Sequence, residues 1–304
     1  MTRTEFQPPS DLALAQTRAR RLQAVGLMCL AIVLFSVLDA TAKYVVGVLD
    51  VPVAQAVWMR FASQVLFSVV LLSQLSLPRL LKTAKPVHQI VRSGFMLGAT
   101  VFNFLAVRYL QLDQTITIFF LAPLVVAALA GPLLGEWVGW RRLLAIMTGF
   151  LGVLLVTRPG FGGIHWAVVF SFAGMLSYAL YNLSTRYLAA HDPSEVTQFY
   201  SPLAGFLMVM PFALTVWEWP PSALAWLLLF ALGAFGGIGH WMLILAHKHA
   251  PASSLAPFVY VGLPCMTGLG YVVFGDIPSL WTLAGGSVVI GSGLYLLYRE
   301  RRGA

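Results

Sequence analysis

Asp39, Lys43 and Arg60 stand in stretches that are otherwise almost wholly apolar, and their types suit a cluster that handles charge inside a membrane. Residues 39 and 43 lie one turn apart on one face of a helix. With the hydrocarbon boundary near Val45, Asp39 is roughly 9 Å deep; Arg60, entering from the same side at about Val53, reaches roughly 10 Å at 1.5 Å per residue. The two thus share a depth on consecutive antiparallel helices. One reading makes Arg60 and Lys43 anchors for an anionic or carboxylate group, with Asp39 as their partner or as a proton-responsive switch. The other is a structural ion pair beside a snorkelling lysine. The residue types leave both open.

Asn103, Asn182 and His240 are isolated polar groups in apolar surroundings, and each needs a partner if buried. They fit a cavity lining, and the two asparagines fit interhelical hydrogen bonds equally well. His240 can bind substrate, change charge near neutral pH, or simply pack. Trp58, Tyr178, Tyr181, Trp241 and Tyr260 offer flat walls for an aromatic or heterocyclic substrate. With 13% aromatic residues, however, most rings must face lipid or sit at the interface.

No catalytic constellation accompanies these residues. His247-Lys-His249 has no third metal ligand at a suitable spacing, His-Glu-x-x-His is absent, and Gly268-x-Gly270 is followed by Tyr271 where an aspartyl protease needs Asp. There is no Gly-x-x-x-x-Gly-Lys nucleotide loop and no ring-forming filter segment. Neither cofactor nor metal is expected. Cys29 and Cys265, far apart in apolar segments, read as packing residues.

The elements that must position these groups follow from composition. Of 304 residues, 59% are hydrophobic and 10% charged, where a soluble domain carries about 25% charged residues. The mean hydropathy is +0.82. Apolar runs open near Leu22, Val53, Ile90, Thr115, Arg142, Ile164, Val196, Ala223, Ala252 and Leu280. Each is long enough for a bilayer of about 30 Å, so the chain is expected to be an all-α membrane protein of ten transmembrane helices. Residues 1–21, with Pro8 and Pro9, read as a disordered cytoplasmic tail. The first run is too long for a signal peptide and is kept as a helix.

Starting inside, the inner side collects fifteen Lys and Arg, among them Arg79, Lys82, Lys85, Arg92, Arg141, Arg142 and Arg186, against Arg108 and Arg158 outside. Both termini are therefore expected in the cytoplasm, the chain lying in the inner membrane. This asymmetry explains the net charge of +8 without nucleic acid.

Shifted by 141 to 143 positions, the sequence superimposes Asp39 on Asn182, Lys43 on Arg186, Gln55 on Gln198, Gly98 on Gly239, Pro123 on Pro264, Gly152 on Gly293 and Arg158 on Arg299. Two units, 22–158 and 164–299, each hold five spans, so the second enters from the opposite side: two inverted five-helix repeats.

With these features the chain resembles the drug/metabolite transporter superfamily, and within it the EamA-type ten-helix carriers. The likeness rests on Asp39-Ala-Thr-Ala-Lys43, Gln55 to Trp58-Met-Arg60, Leu121-Ala-Pro123 to Gly135-Glu136, and Gly275-Asp276 with Gly286 and Gly293. It departs where Trp137 follows Glu136 and where Asn182 answers Asp39. The resemblance implies alternating-access transport of a small metabolite such as an amino acid or vitamin. Export is the expected direction, with riboflavin-like uptake as the alternative. Proton coupling is one option, and a monomer or weak dimer in the bilayer is expected.

Overall fold

The computed structural model describes residues 11–71, 80–122, 124–126, 128–129, 140–157, 165–188, 191–249 and 256–303. Helix α1 (Asp11–Lys43) continues into a π-helical segment, Tyr44–Val48. It is followed by α2 (Val53–Leu71), α3 (Pro86–Tyr109), α4 (Leu112–Phe119) and α5 (Trp140–Thr157). The second half comprises α6 (Val168–Leu188), α7 (Ser194–Thr215), α8 (Ala223–His249), a 3₁₀ segment (Ala256–Val261), α9 (Gly262–Phe274) and α10 (Leu280–Gly303). No strand occurs among the described residues. Among the described residues, five segments are long and apolar enough to cross a membrane: Leu22–Val48, Val53–Val70, Pro86–Tyr109, Ser194–Thr215 and Ala223–Leu243. Leu112–Val126, Met147–Val156, Phe258–Phe274 and Leu280–Tyr295 form shorter apolar helices.

Among the boundaries that differ from the sequence reading, two have a plain local cause. Part of the tail expected to be disordered is helical, because α1 starts at Asp11. Leu12 to Ala15 and the following Gln and Arg residues are good helix formers, and Pro8 and Pro9 lie just ahead of them. Helix α3 starts at Pro86 instead of near Ile90, since proline at a first helical position loses no needed N–H. Pro123, Gly135 to Trp137, Arg158 and Pro251 lie outside the described residues.

Local chemistry sets several ends. Ser222 Oγ accepts from Ala225 N–H at the start of α8, and Ser279 Oγ accepts from Thr282 N–H at the start of α10. At the end of α9, Gly275 takes φ +71°, which lets Asp276 N–H reach back to the Gly270 carbonyl. That turn fixes where the Asp276 carboxylate goes.

The main packing pairs are α1 with α8, α3 with α6, α5 with α10, α2 with α8, α2 with α7, and α3 with α7. Helix α9 packs on α1 and α4, and α4 also meets α6. Small residues allow the closest approaches. A Cβ on Gly233 of α8 would stand 2.5 Å from Gln64 N and 2.7 Å from Arg60 O of α2, and one on Gly285 of α10 only 2.4 Å from Gly152 O of α5. The largest apolar cluster joins Leu38, Val45, Val57, Phe61, Phe104, Leu229 and Leu232, and so surrounds the inner faces of α1, α2, α3 and α8.

Candidate functional site

Asp39 and Arg60 come within electrostatic range of each other where α1 and α2 border this cluster. Burying a carboxylate and a guanidinium is costly unless each finds compensation. Asp39 accepts a hydrogen bond from Asn103 Nδ2 of α3 at 2.8 Å and interacts electrostatically with Arg60. Arg60 is 6% exposed, and its Nε and Nη1 lack a hydrogen-bond acceptor. Beside Asp39 and Asn103 lies a cavity of about 30 Å³, walled by Val107, Leu112, Thr115, Ile116, Phe119 and Met266. Polar groups of α1 and α3 thus face a largely apolar wall contributed by α3, α4 and α9.

Lys43 does not join them. Its ammonium bonds Asp276 at 2.5 Å and lies 4.6 Å from the centre of the Phe274 ring, so the expected three-membered cluster is two residues plus Asn103. The reason is tertiary: the Gly275 turn brings a carboxylate to Lys43 from α9, nearer to the helix end than Asp39.

Tyr181 of α6 does reach the centre, where its hydroxyl accepts from Arg92 Nη2 at 2.7 Å. Tyr178 stacks on Tyr181 with centroids 6.2 Å apart and tilts against Phe119, a wall of the cavity, at 6.3 Å. His240 packs against Phe35 at 4.9 Å and lies within electrostatic range of both Arg60 and Arg92. Trp58 stacks on Phe206 and meets the edge of Trp217, both at 5.7 Å, with its Nε1 buried and without an acceptor.

Asn182 turns away, donating to the Tyr178 carbonyl of its own helix. Trp241 is half-buried on α8 and does not line the cavity. Tyr260 belongs to a second core with Phe120, Leu124 and Val289, edge-on to Phe120 at 5.1 Å. A Cβ on Gly293 would coincide with its hydroxyl, so that glycine makes room for it. Cys29 and Cys265, distant in sequence, are close enough to interact electrostatically across α1 and α9.

Polar ties hold both ends of the bundle. Near the start of α2, Gln55 donates to the Glu218 carbonyl at 2.7 Å and accepts from Glu218 N–H at 3.0 Å, which binds α2 to the α7–α8 connection. The Lys43–Asp276 pair and the Arg108–Asp50 pair lie toward this end. Past the far end of α2, roughly 28 Å away at 1.5 Å per residue, Asp192 accepts from Thr83 Oγ1 at 2.5 Å, Ala84 N–H at 2.8 Å and Gln89 Nε2 at 2.8 Å. Burial works against the Asp192 charge, but these three donors and nearby His191 outweigh it and hold the carboxyl below the usual range.

The residue that sequence reasoning missed is Arg92. Counted among loop cations, it is 3% exposed within α3 and bonds Thr185, Thr197, Ser201 and Tyr181. Its place seven residues into a helix opened by Pro86 was the available signal. Gln64, with both amide atoms buried and unpartnered, and Asp113, 4% exposed, are further polar groups of the interior.

Comparison with known proteins gives this geometry a context. The chain is 25% identical over 292 residues to a riboflavin transporter of Vibrio cholerae, covering 92% of this chain and 95% of that one. It is 24% identical over 224 residues to an S-adenosylmethionine uptake transporter of Rickettsia prowazekii, covering 73% and 75%. A pseudopaline exporter of Pseudomonas aeruginosa is 26% identical over 271 residues, covering 88% and 93%. A solved crystal structure superposes with a TM-score of 0.66 at 21% identity, over 92% of this chain and 98% of its own, and speaks for the fold alone. The sequence model of the EamA-like transporter family matches residues 22–158 and again 165–299, and the chain belongs to that family of membrane transporters of small metabolites.

Proposed function

We propose that this protein is a secondary carrier that moves a small organic metabolite across the inner membrane by alternating access, with the Asp39–Arg60–Asn103 group as its central polar site. The observation that carries the reading is a largely buried ionic group beside a cavity, with hydrogen-bonded ties at both ends of the bundle. Such groups in a membrane interior are costly and mark substrate or ion paths.

Two inverted five-helix repeats, α1–α5 and α6–α10, form the proposed frame. Exchanging each helix with its counterpart five positions on converts α1·α8 packing into α6·α3, α2·α8 into α7·α3 and α1·α9 into α6·α4. The same exchange leaves α2·α7, α5·α10 and α4·α9 unchanged, and all of these contacts occur. A pseudo-two-fold relation of this kind supports a carrier whose halves trade conformations. The same exchange relates the Gln55–Glu218 tie to the Asp192–Thr83 tie, which we take as the outer and inner gates respectively.

Both termini and the Lys82–Lys85 loop are placed in the cytoplasm on the charge asymmetry. Export is the working direction, in line with the likeness to an exporter; vitamin-type uptake is the second reading, favoured by the likeness to a riboflavin transporter and by the Tyr178, Tyr181 and Phe119 rings beside the site. Counterflow in proteoliposomes against a panel of amino acids, vitamins and nucleosides, with and without a proton gradient, tests the function. Saturable exchange of at least one solute, reduced tenfold or more by Asp39→Asn, is expected. No exchange of any solute by folded protein overturns the reading.

A further inference from the structure

Two arginines approach the middle of the bundle from opposite ends. Arg60 is the eighth residue of α2 and Arg92 the seventh of α3, so each stands about 10 Å inside its own end of the bundle at 1.5 Å per residue. Arg60 is 6% exposed and Arg92 3%. Across a hydrocarbon layer of about 30 Å they flank the midplane.

Their charges are not balanced. Around Arg92, Nε donates to Thr185 Oγ1 at 2.7 Å, Nη1 to Ser201 Oγ at 2.8 Å and to the Thr197 carbonyl at 3.2 Å, and Nη2 to Tyr181 OH at 2.7 Å. The Tyr181 ring lies 4.4 Å from the guanidinium carbon. All of these acceptors are neutral, and no carboxylate among the described residues pairs with Arg92. Arg60 has Asp39 as its electrostatic partner yet keeps Nε and Nη1 without acceptors. Tyr181 interacts with both arginines, and His240 lies in the field of both. Among the described residues, neither guanidinium thus has a carboxylate within ion-pair distance, in a region that solvates charge poorly.

A crosslink between α3, α6 and α7 needs donors, which a glutamine supplies without the cost of burying a charge. What only a guanidinium supplies is a fork of N–H donors matched to an oxyanion. We propose that Arg92, held by Tyr181, is the inner station of a two-arginine path, and that the transported metabolite carries a carboxylate or phosphate group which Arg60 and Arg92 engage in turn. The inference rests on the carrier reading above and narrows its substrate to organic oxyanions. The bound oxyanion completes the charge balance and fills the vacant acceptor positions of Arg60.

Equilibrium binding to the purified full-length protein, with benzoate, phenyl phosphate and neutral benzamide as probes, tests it. Saturable binding of benzoate or phenyl phosphate is expected, the stronger of the two identifying the oxyanion class, with benzamide at least tenfold weaker. Arg92→Gln should weaken the oxyanion at least tenfold and leave benzamide unchanged; Arg92→Lys should recover part of the loss, and Lys82→Ala should change nothing. Tyr181→Phe keeps the ring while removing one acceptor. It should weaken oxyanion binding severalfold, and it serves if Arg92→Gln does not fold. The proposal is overturned if neither oxyanion binds below 10 mM (on the order of a weak fragment affinity), if benzamide binds as well, or if a folded Arg92→Gln or Tyr181→Phe protein keeps wild-type affinity. Counterflow of a neutral metabolite combined with failed oxyanion binding removes this inference alone. Arg92-dependent oxyanion binding without any counterflow supports the site and removes the carrier reading instead.

Discussion

Lys43 bonds to Asp276, 233 residues away in sequence, and not to Asp39 one turn below it on the same helix. The pair ties α1 to the end of α9, with side-chain exposures of 14% and 23%. Removing one partner leaves the other charge in a partly dehydrated place. Asp276→Asn and Lys43→Met should each destabilise the protein by about 1–2 kcal/mol, whereas the double variant should cost less than the sum. A thermal or denaturant double-mutant cycle in detergent measures the coupling, and strict additivity would refute the pairing.

Asn103 donates to Asp39 across α1 and α3. Losing a hydrogen bond to a charged group costs about 1.5–3 kcal/mol, so Asn103→Ala should lower transport by at least tenfold if that bond sets the working geometry of Asp39. Asn182→Ala, whose side chain bonds within its own helix at Tyr178, should leave rates within about twofold. Initial counterflow rates of the two variants, corrected for folded protein, compare them; equal losses would place Asn182 in the site after all.

Tyr260 fills the second core. Tyr260→Phe keeps the ring that packs on Phe120 and should transport normally, while Tyr260→Ala should lose about 3–5 kcal/mol of stability. Melting curves beside transport assays separate the two effects. A well-folded Tyr260→Phe protein without transport would move this residue into the substrate path.

Asp192 carries a pH expectation. Its carboxyl is held below the ordinary range, so the stability it contributes is fully present above the unfolded value of about 3.9 and is lost only as pH falls through the lower folded value. The tie to Thr83, Ala84 and Gln89 should therefore persist from pH 8 down to about 4. Asp192→Asn should weaken it at every pH. Crosslinking of cysteines placed at Ser194 and Lys82 follows the tie; opening between pH 5 and 7 in the wild type would contradict the assignment.

Orientation can be read independently. A single cysteine introduced at Lys85 should resist an impermeant thiol reagent in intact cells and react after permeabilisation. Rapid labelling in intact cells would invert the topology.

The helices were legible because long apolar runs separated by Pro, Gly and charge leave few alternatives, and every run contains helix within the described residues. The nearness of Asp39 and Arg60 was legible too, since equal depth on consecutive helices follows from rise per residue. Arg92 was not. Starting α3 near Ile90 instead of Pro86 left Arg92 in the first turn, and a four-residue error was enough to turn an interior guanidinium into a loop cation. Asp276 as the partner of Lys43 was equally out of reach, because it depends on how α9 packs against α1 and on a left-handed glycine at its end. Tyr260 shared the residue type of Tyr181 but went to a different core, and periodicity alone does not tell two apolar faces apart.

The cavity beside Asp39, about 30 Å³, is walled largely by apolar side chains, among them Val107, Leu112, Ile116, Phe119 and Met266. Water entering it finds side-chain hydrogen-bond partners only at Asp39, Asn103 and Thr115. A solute that brings apolar surface to the rest of the wall therefore displaces weakly held water there and gives up few hydrogen bonds in doing so. The shape of the void thus rewards a molecule with one polar end and one apolar flank.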